Sequence, residues 1–274
     1  MTDIISSLNT TIKSTWCPGC YNFQVLAAFK NLITEQIKAG KKKEDFAIVT
    51  GIGCHAKIFD YVNLNGINTL HGRVLPTCIG MKIARPELTI FGFAGDGDAY
   101  AEGISHLIHA ARYDKDINYI VHNNQVFALT VGQPTPTTEK GFIDKTTPKG
   151  VQFQPLNPIK LMLAVNCGFV ARVFADIKQI ENIMKEAVKH NGFSFIEVIQ
   201  PCLIFHPDLK FKEHTYNLQE KGHNKHNWKE AMEKACEFDY NKINEKTKIP
   251  LGIFYQEIRM ENFYPISFSK KPII

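Results

Sequence analysis

The chain has 274 residues, of which 44% are hydrophobic and 22% charged. That length can bury a sizeable core, and the composition excludes a mostly disordered, collagenous or low-complexity chain. The net charge of +5 is mild and spread along the chain, so no nucleic-acid partner is expected, since that would favour a concentrated Lys/Arg patch.

Residues 1–15 are polar, with an early acid and no apolar h-region, so they do not read as a secretory signal. After Cys20, the segment YNFQVLAAFKNLITEQIK places Phe23, Leu26, Ala27, Phe29, Leu32, Ile33 and Ile37 at helical spacing, which predicts an amphipathic helix. Gly40 is a suitable C′ residue for it. The run FAIVT, Phe46–Thr50, reads as a buried strand leading into the turn GIGC. A second strand is predicted at residues 88–94, the longest apolar stretch and far short of the roughly 20 residues of a membrane span; no membrane association is expected. A helix over residues 101–112 and a strand over residues 117–122 follow. Further on come a helix near residues 159–165, a strand Phe169–Phe174, a helix over residues 177–190 and a strand over residues 195–199. Short apolar strands alternating with helices predict an α/β fold with a parallel sheet covered on both faces. Ligands in such folds bind at the carboxyl ends of the strands. Residues 205–248 are rich in Lys, Glu, His and Asn and read as a solvated extension with a short helix near residues 228–240.

The strand at 88–94 runs into Gly95-Asp96-Gly97-Asp98, and the strand at 117–122 into Asn123-Asn124. Asp96 and Asn124 are 124 − 96 = 28 positions apart, which a strand–loop–helix–strand unit brings to the same sheet edge. A carboxylate and an amide carbonyl can meet one hard cation there, and Mg²⁺ commonly shares such a site with phosphate oxygens. Glycines beside the aspartate let backbone N–H groups approach a diphosphate at a helix N-terminus.

There are seven cysteines. In a chain without an export signal they are expected in a reducing, cytoplasmic setting, and an odd number argues against a full disulfide framework. The pair in Trp16-Cys17-Pro18-Gly19-Cys20 could be a dithiol, but it follows no buried strand; zinc is a second option. Cys54 and Cys202 each follow a predicted strand, on the edge that carries Asp96 and Asn124. Four thiolates from three segments suit an iron–sulfur cluster. Cys78, Cys167 and Cys236 read as packing residues.

The ordered set WCPGC, GIGC, HGR, GDGD, NN, LTxGQ and PC, from Trp16 to Cys202, resembles the β subunit of 2-oxoacid:ferredoxin oxidoreductases, the pyruvate and 2-oxoglutarate enzymes included. The resemblance implies CoA-dependent oxidative decarboxylation of a 2-oxoacid, with electrons passing to ferredoxin or a similar carrier. It implies thiamine diphosphate held through Mg²⁺ on Asp96, Asn124 and the carbonyl of Val126. It also implies a 4Fe-4S cluster on Cys17, Cys20, Cys54 and Cys202. Ile52, Gly53, Cys54, His55, His71, Gly95, Gly97, Asp98, Ala128 and Leu129 would contact the cofactor, with Gly97 and Asp98 facing the diphosphate. Lys57 and Leu129 match positions that face the substrate, where a lysine could pair with the distal carboxylate of 2-oxoglutarate. Tyr21 and His55 depart from the glycine and serine of many relatives. The glutamate that activates the cofactor belongs in this family to an α subunit. Glu102 lies at the diphosphate end and reads instead as a helix N-terminal residue. Residues 1–204 are then a thiamine-diphosphate- and cluster-binding domain, and residues 205–274 a polar extension packing on it or on the partner. A non-redox thiamine-diphosphate decarboxylase or synthase subunit, or a zinc- or dithiol-binding protein, are the alternatives.

Overall fold

The central strands of the sheet are buried on both faces. Every residue of β1 (Phe46–Thr50), β4 (Ile117–Asn123), β7 (Phe169–Phe174) and β8 (Phe193–Ile199) is buried, the pattern of a parallel sheet sandwiched between helices. A computed structural model describes residues 4–258. It adds β2 (Asn65–Asn68), β3 (Thr89–Gly95), β9 (Thr215–Asn217) and β10 (Ile249–Gln256), and a small hairpin of β5 (Val126–Phe127) and β6 (Gln133–Pro134). The main sheet has eight strands in the order β2-β1-β3-β4-β8-β7-β10-β9. From β2 to β7 all neighbours are parallel; β10 joins β7 antiparallel. The α/β parallel-sheet architecture expected from the sequence is therefore present.

One face is covered by the helices Asn22–Lys38 and Ile177–Lys189, which bury Phe29, Leu32, Ile180 and Met184 against Ile48, Phe91, Phe93 and Ile196. The other is covered by Val74–Ala84, Ile104–Tyr113, Pro158–Ala164 and Trp228–Ala235. The first helix turns further than its periodicity predicts: Val25 and Ala28 are buried, while Phe23 is 38% exposed with its ring on Trp16. It ends at Gly40, whose φ of +105° suits a residue without Cβ.

Two expectations differ from what is seen. The helix over 101–112 is split: a wide π-helical turn, Gly97–Glu102, precedes the α-helix Ile104–Tyr113. A Cβ on Gly103 would crowd the carbonyls of Asp98 and Ala99, so close backbone packing, not an apolar stripe, shapes this stretch. The solvated extension over 205–248 is also corrected. Phe211, Leu218, Ala231, Ala235, Phe238 and Tyr240 are buried, because β10, just beyond, adds to the main sheet and draws the segment over its edge. Residues 259–274 of the expected extension lie outside the described residues. No helix among the described residues is long and apolar enough to cross a membrane.

The pairings Thr50↔Phe93, Gly95↔His122 and Asn123↔Ile199 set the carboxyl ends of β1, β3, β4 and β8 side by side. The loops that follow them meet along one edge.

Candidate active site

Asp96 leaves β3 buried, 2% exposed, and its Oδ2 accepts hydrogen bonds from the hydroxyls of Thr135 and Thr137. Burial pushes its carboxyl up to about 6, against those hydroxyls and the Asn124 backbone amide, which pull it down. A buried carboxylate with only neutral donors has unmet demand for positive charge. Asn124 lies across the same cleft, and its Oδ1 accepts from the Val126 amide at 3.1 Å, a side-chain turn that fixes the loop after β4. Gly97 lies beneath Phe127, whose ring a Cβ there would overlap.

Asp98 lines the same cleft and is buried. Its carboxylate is engaged by the chain itself: Oδ1 accepts from the Gly72 amide, and Oδ2 is 3.2 Å from His55 Nε2, off the line of a hydrogen bond. His71 Nδ1 is 3.9 Å away. Asp98 thus ties together the loops after β1, β2 and β3. A Cβ on Gly51 would overlap this carboxylate and one on Gly95 would press on His55, so both glycines are steric requirements of the knot.

The second half of the edge is built from thiols. Trp16 Nε1 donates to the Cys54 carbonyl at 2.6 Å, fastening the segment before the first helix to the loop after β1. Cys17, Cys20, Cys54 and Cys202 line one hollow. Cys20 is pushed up to about 11, first by burial and then by the neighbouring thiols Cys54, Cys17 and Cys202. Cys54 is raised by burial and by Cys202 and Cys17, against the pull of Lys57. Cys20 and Cys54 therefore lie close enough to the other thiols to feel their charge. Among the described residues no three His, Cys, Asp or Glu side chains form a single-ion site. Cys78 and Cys167 are buried in the core as expected, whereas Cys236 is exposed, because it lies just past the end of the helix Trp228–Ala235.

The two halves adjoin: Asn22, Cys54, Asn124, Ala128, Leu129 and Gln200 border both. Gly53, His55, His71, Gly95, Gly97, Val126 and Ile52 line the cation side, Ile52 being 42% exposed. Lys57 lines the thiol side, with Nζ 3.4 Å from the Thr15 carbonyl. Leu129 stands at the mouth, 46% exposed. Glu102 is exposed and is not among the residues of either hollow.

Several contributors carry no motif. Thr135 and Thr137, in the segment just after the hairpin, hold Asp96. Asn22 Oδ1 receives His122 Nδ1 at 2.8 Å and Gln200 Nε2 at 2.9 Å. His122 Nε2 and Gln200 Oε1 are buried at the cleft without a hydrogen-bond partner, the mark of a cleft shaped for a polar ligand.

Comparison with known proteins places this edge in context. The family model for the C-terminal thiamine pyrophosphate-binding domain of thiamine pyrophosphate enzymes matches residues 51–198. The model for the C-terminal part of the pyruvate ferredoxin oxidoreductase β subunit matches residues 210–264. The chain is 38% identical over 256 residues to the 2-oxoacid:ferredoxin oxidoreductase subunit beta of Saccharolobus solfataricus, covering 88% of this chain and 81% of that one. It is 36% identical over 241 residues to the 2-oxoglutarate synthase subunit KorB of Archaeoglobus fulgidus, covering 82% and 88%. Among solved structures it is similar to a 2-oxoglutarate:ferredoxin oxidoreductase from Magnetococcus marinus with 2-oxoglutarate, coenzyme A and succinyl-CoA bound. That likeness has a TM-score of 0.84 at 29% identity and covers 93% of this chain and 86% of that one.

Proposed function

The chain belongs to the 2-oxoacid:ferredoxin oxidoreductase β-subunit family. From that premise we propose that, completed by an α subunit, it oxidatively decarboxylates a 2-oxoacid with coenzyme A and passes the electrons through a 4Fe-4S cluster to ferredoxin or a similar carrier. The observation that carries this reading is the meeting, at one sheet edge, of a hard-oxygen pair and four thiols in adjoining hollows.

Thiamine diphosphate supplies, when bound, a ring that takes up the electrons of decarboxylation, and a cluster supplies a one-electron acceptor. Asp96, Asn124 and the Val126 carbonyl would hold Mg²⁺ and through it the diphosphate; their oxygen donors are the type this cation prefers. Gly97 opens the helical turn beside them, and backbone N–H groups at a helix start suit an anion. Orphaned polar atoms on His122 and Gln200 fit a polar group entering the cleft. Cys17, Cys20, Cys54 and Cys202 would hold the cluster. A structural zinc site gathers its ligands on one ion, whereas a cluster spreads four thiolates over four irons; four thiols from three segments around one hollow suit the second arrangement. Cys54 borders both hollows, so one loop would hold the cluster beside the reacting centre. The non-redox alternative leaves this set of thiols without a use.

Among the described residues no glutamate lines either hollow, and Glu102 is exposed. Purified alone, the chain should therefore show no 2-oxoacid-dependent viologen reduction, and co-purification with its α subunit should restore it. Robust turnover by the chain alone would contradict the divided site.

Lys57 would set substrate choice by pairing with a distal carboxylate. A charge-assisted hydrogen bond contributes about 1.5–3 kcal/mol, so Lys57→Ile should lower kcat/KM for 2-oxoglutarate roughly tenfold to a hundredfold while sparing pyruvate. Steady-state turnover of the complete enzyme with the two acids side by side checks this; equal losses for both would remove the lysine from substrate recognition.

A further inference from the structure

The turn that carries Cys202 is closed on its own sulfur. The Phe205 amide donates to Cys202 Sγ at 3.4 Å, and the His206 amide donates to the Cys202 carbonyl at 2.9 Å. Between them Leu203 and Ile204 are exposed, so the turn is not held by burial of its middle. Its anchor is His206, 4% exposed, whose ring packs on Phe142 with centroids 4.5 Å apart. His206 Nε2 donates to Glu139 Oε1 at 3.0 Å. Glu139 lies beyond the threonines that hold Asp96, and Gln125 Nε2 reaches both its Oε2, at 3.5 Å, and the Thr137 carbonyl, at 2.6 Å. A part-buried pair thus ties the Cys202 turn to the wall of the cation site.

An N–H aimed at a ligating sulfur stabilises added negative charge there, and such bonds are among the factors that set the potential of an iron–sulfur cluster. We propose that His206 and Glu139 are positioning residues for the cluster: they hold the Cys202 turn with the Phe205 amide on the sulfur and so keep the reduction potential high. This rests on the cluster reading above. Without the anchor, the exposed middle of the turn is free to rotate the amide away, and the reduced state loses that stabilisation.

The test is an EPR-monitored redox titration of the anaerobically purified full chain. His206→Ala and Glu139→Ala should each disfavour reduction about tenfold, which for a one-electron couple is a fall of about 59 mV. His206→Gln, which keeps a donor toward Glu139, should recover most of the shift. Should the alanine variants not retain the cluster, Glu139→Gln, which keeps the shape and removes the charge, should lower the potential by a smaller step. A cluster whose potential is unmoved or raised in these variants overturns the proposal while leaving the reading intact. A wild-type chain that shows no cluster signal overturns both.

Discussion

Asp96→Asn should abolish the response of this protein to thiamine diphosphate and Mg²⁺ while leaving its fold in place. The amide is nearly isosteric, and its oxygen can still accept from Thr135 and Thr137. What it lacks is the charge, in a position where the cation would have one carboxylate to bind. A ligand that binds only the folded state at a hundred times its Kd adds about 2.7 kcal/mol to stability. The wild type should therefore gain a clear upward shift in Tm when cofactor and Mg²⁺ are added together, and the variant should gain none. Changes to groups that merely support a metal ligand cost tenfold to a hundredfold, so loss of the ligand itself should lower turnover of the complete enzyme by at least about a hundredfold. An Asp96→Asn chain that melts like the wild type and is stabilised as much by the cofactor would move the cation site elsewhere.

The second large effect concerns stability. Arg172 and Glu197 are register partners on β7 and β8, both fully buried, with Nε and Oε2 2.8 Å apart. Tyr240 accepts from Arg172 at 2.6 Å and donates to Glu197; Asn123 Nδ2 donates to Glu197 Oε1 at 2.8 Å. The guanidinium lies against the rings of Phe238, Tyr240 and Phe254. Burial lowers the guanidinium pKa, but Tyr240 and Glu197 outweigh it and hold Arg172 above its usual range. Glu197→Ala would leave that charge uncompensated in the core, which costs about 3–5 kcal/mol. Urea unfolding should show a loss of that size. The double variant Arg172→Met, Glu197→Leu should lose much less, since apolar replacement of a buried pair is often neutral. A single variant within about 1 kcal/mol of the wild type would mean that the pair carries no such burden. The network also reaches the site, because the Thr137 hydroxyl lies within hydrogen-bond distance of both Asn123 Oδ1, at 2.9 Å, and Asp96 Oδ2, at 3.1 Å.

Much of this was legible from the residues. FAIVT and the stretch at 88–94 are too apolar to be anything but buried strands, and strand–helix–strand arithmetic brings Asp96 and Asn124 to one edge without further information. Cys54 and Cys202 follow strands and were placed by the same reasoning. The first CxxC was not, because the bond that fastens it, Trp16 to the Cys54 carbonyl, joins a side chain to a backbone atom 38 positions away and leaves no periodic trace. Thr135 and Thr137 were invisible for a related reason: threonines in a loop are common, and only the folded hairpin turns them toward Asp96. Arg172 and Glu197 did leave a signal, a lone opposite charge inside each of two strands that read as core. Such charges must be paired or pay heavy desolvation, and register alone then pairs them. The segment at 205–248 reads as solvated because its few apolar residues lack a regular period; β10 collects them, and its own run IPLGIFYQ is the cue that the sheet continues past the polar stretch.

The account stands or falls on what the four thiols hold. The direct measurement is iron, acid-labile sulfide and zinc in the anaerobically purified chain, wild type beside Cys54→Ala. The wild type should be brown, with about four irons and four sulfides per chain, and Cys54→Ala should be bleached. A colourless wild type carrying stoichiometric zinc, or a Cys54→Ala chain that keeps its iron and colour, would contradict it.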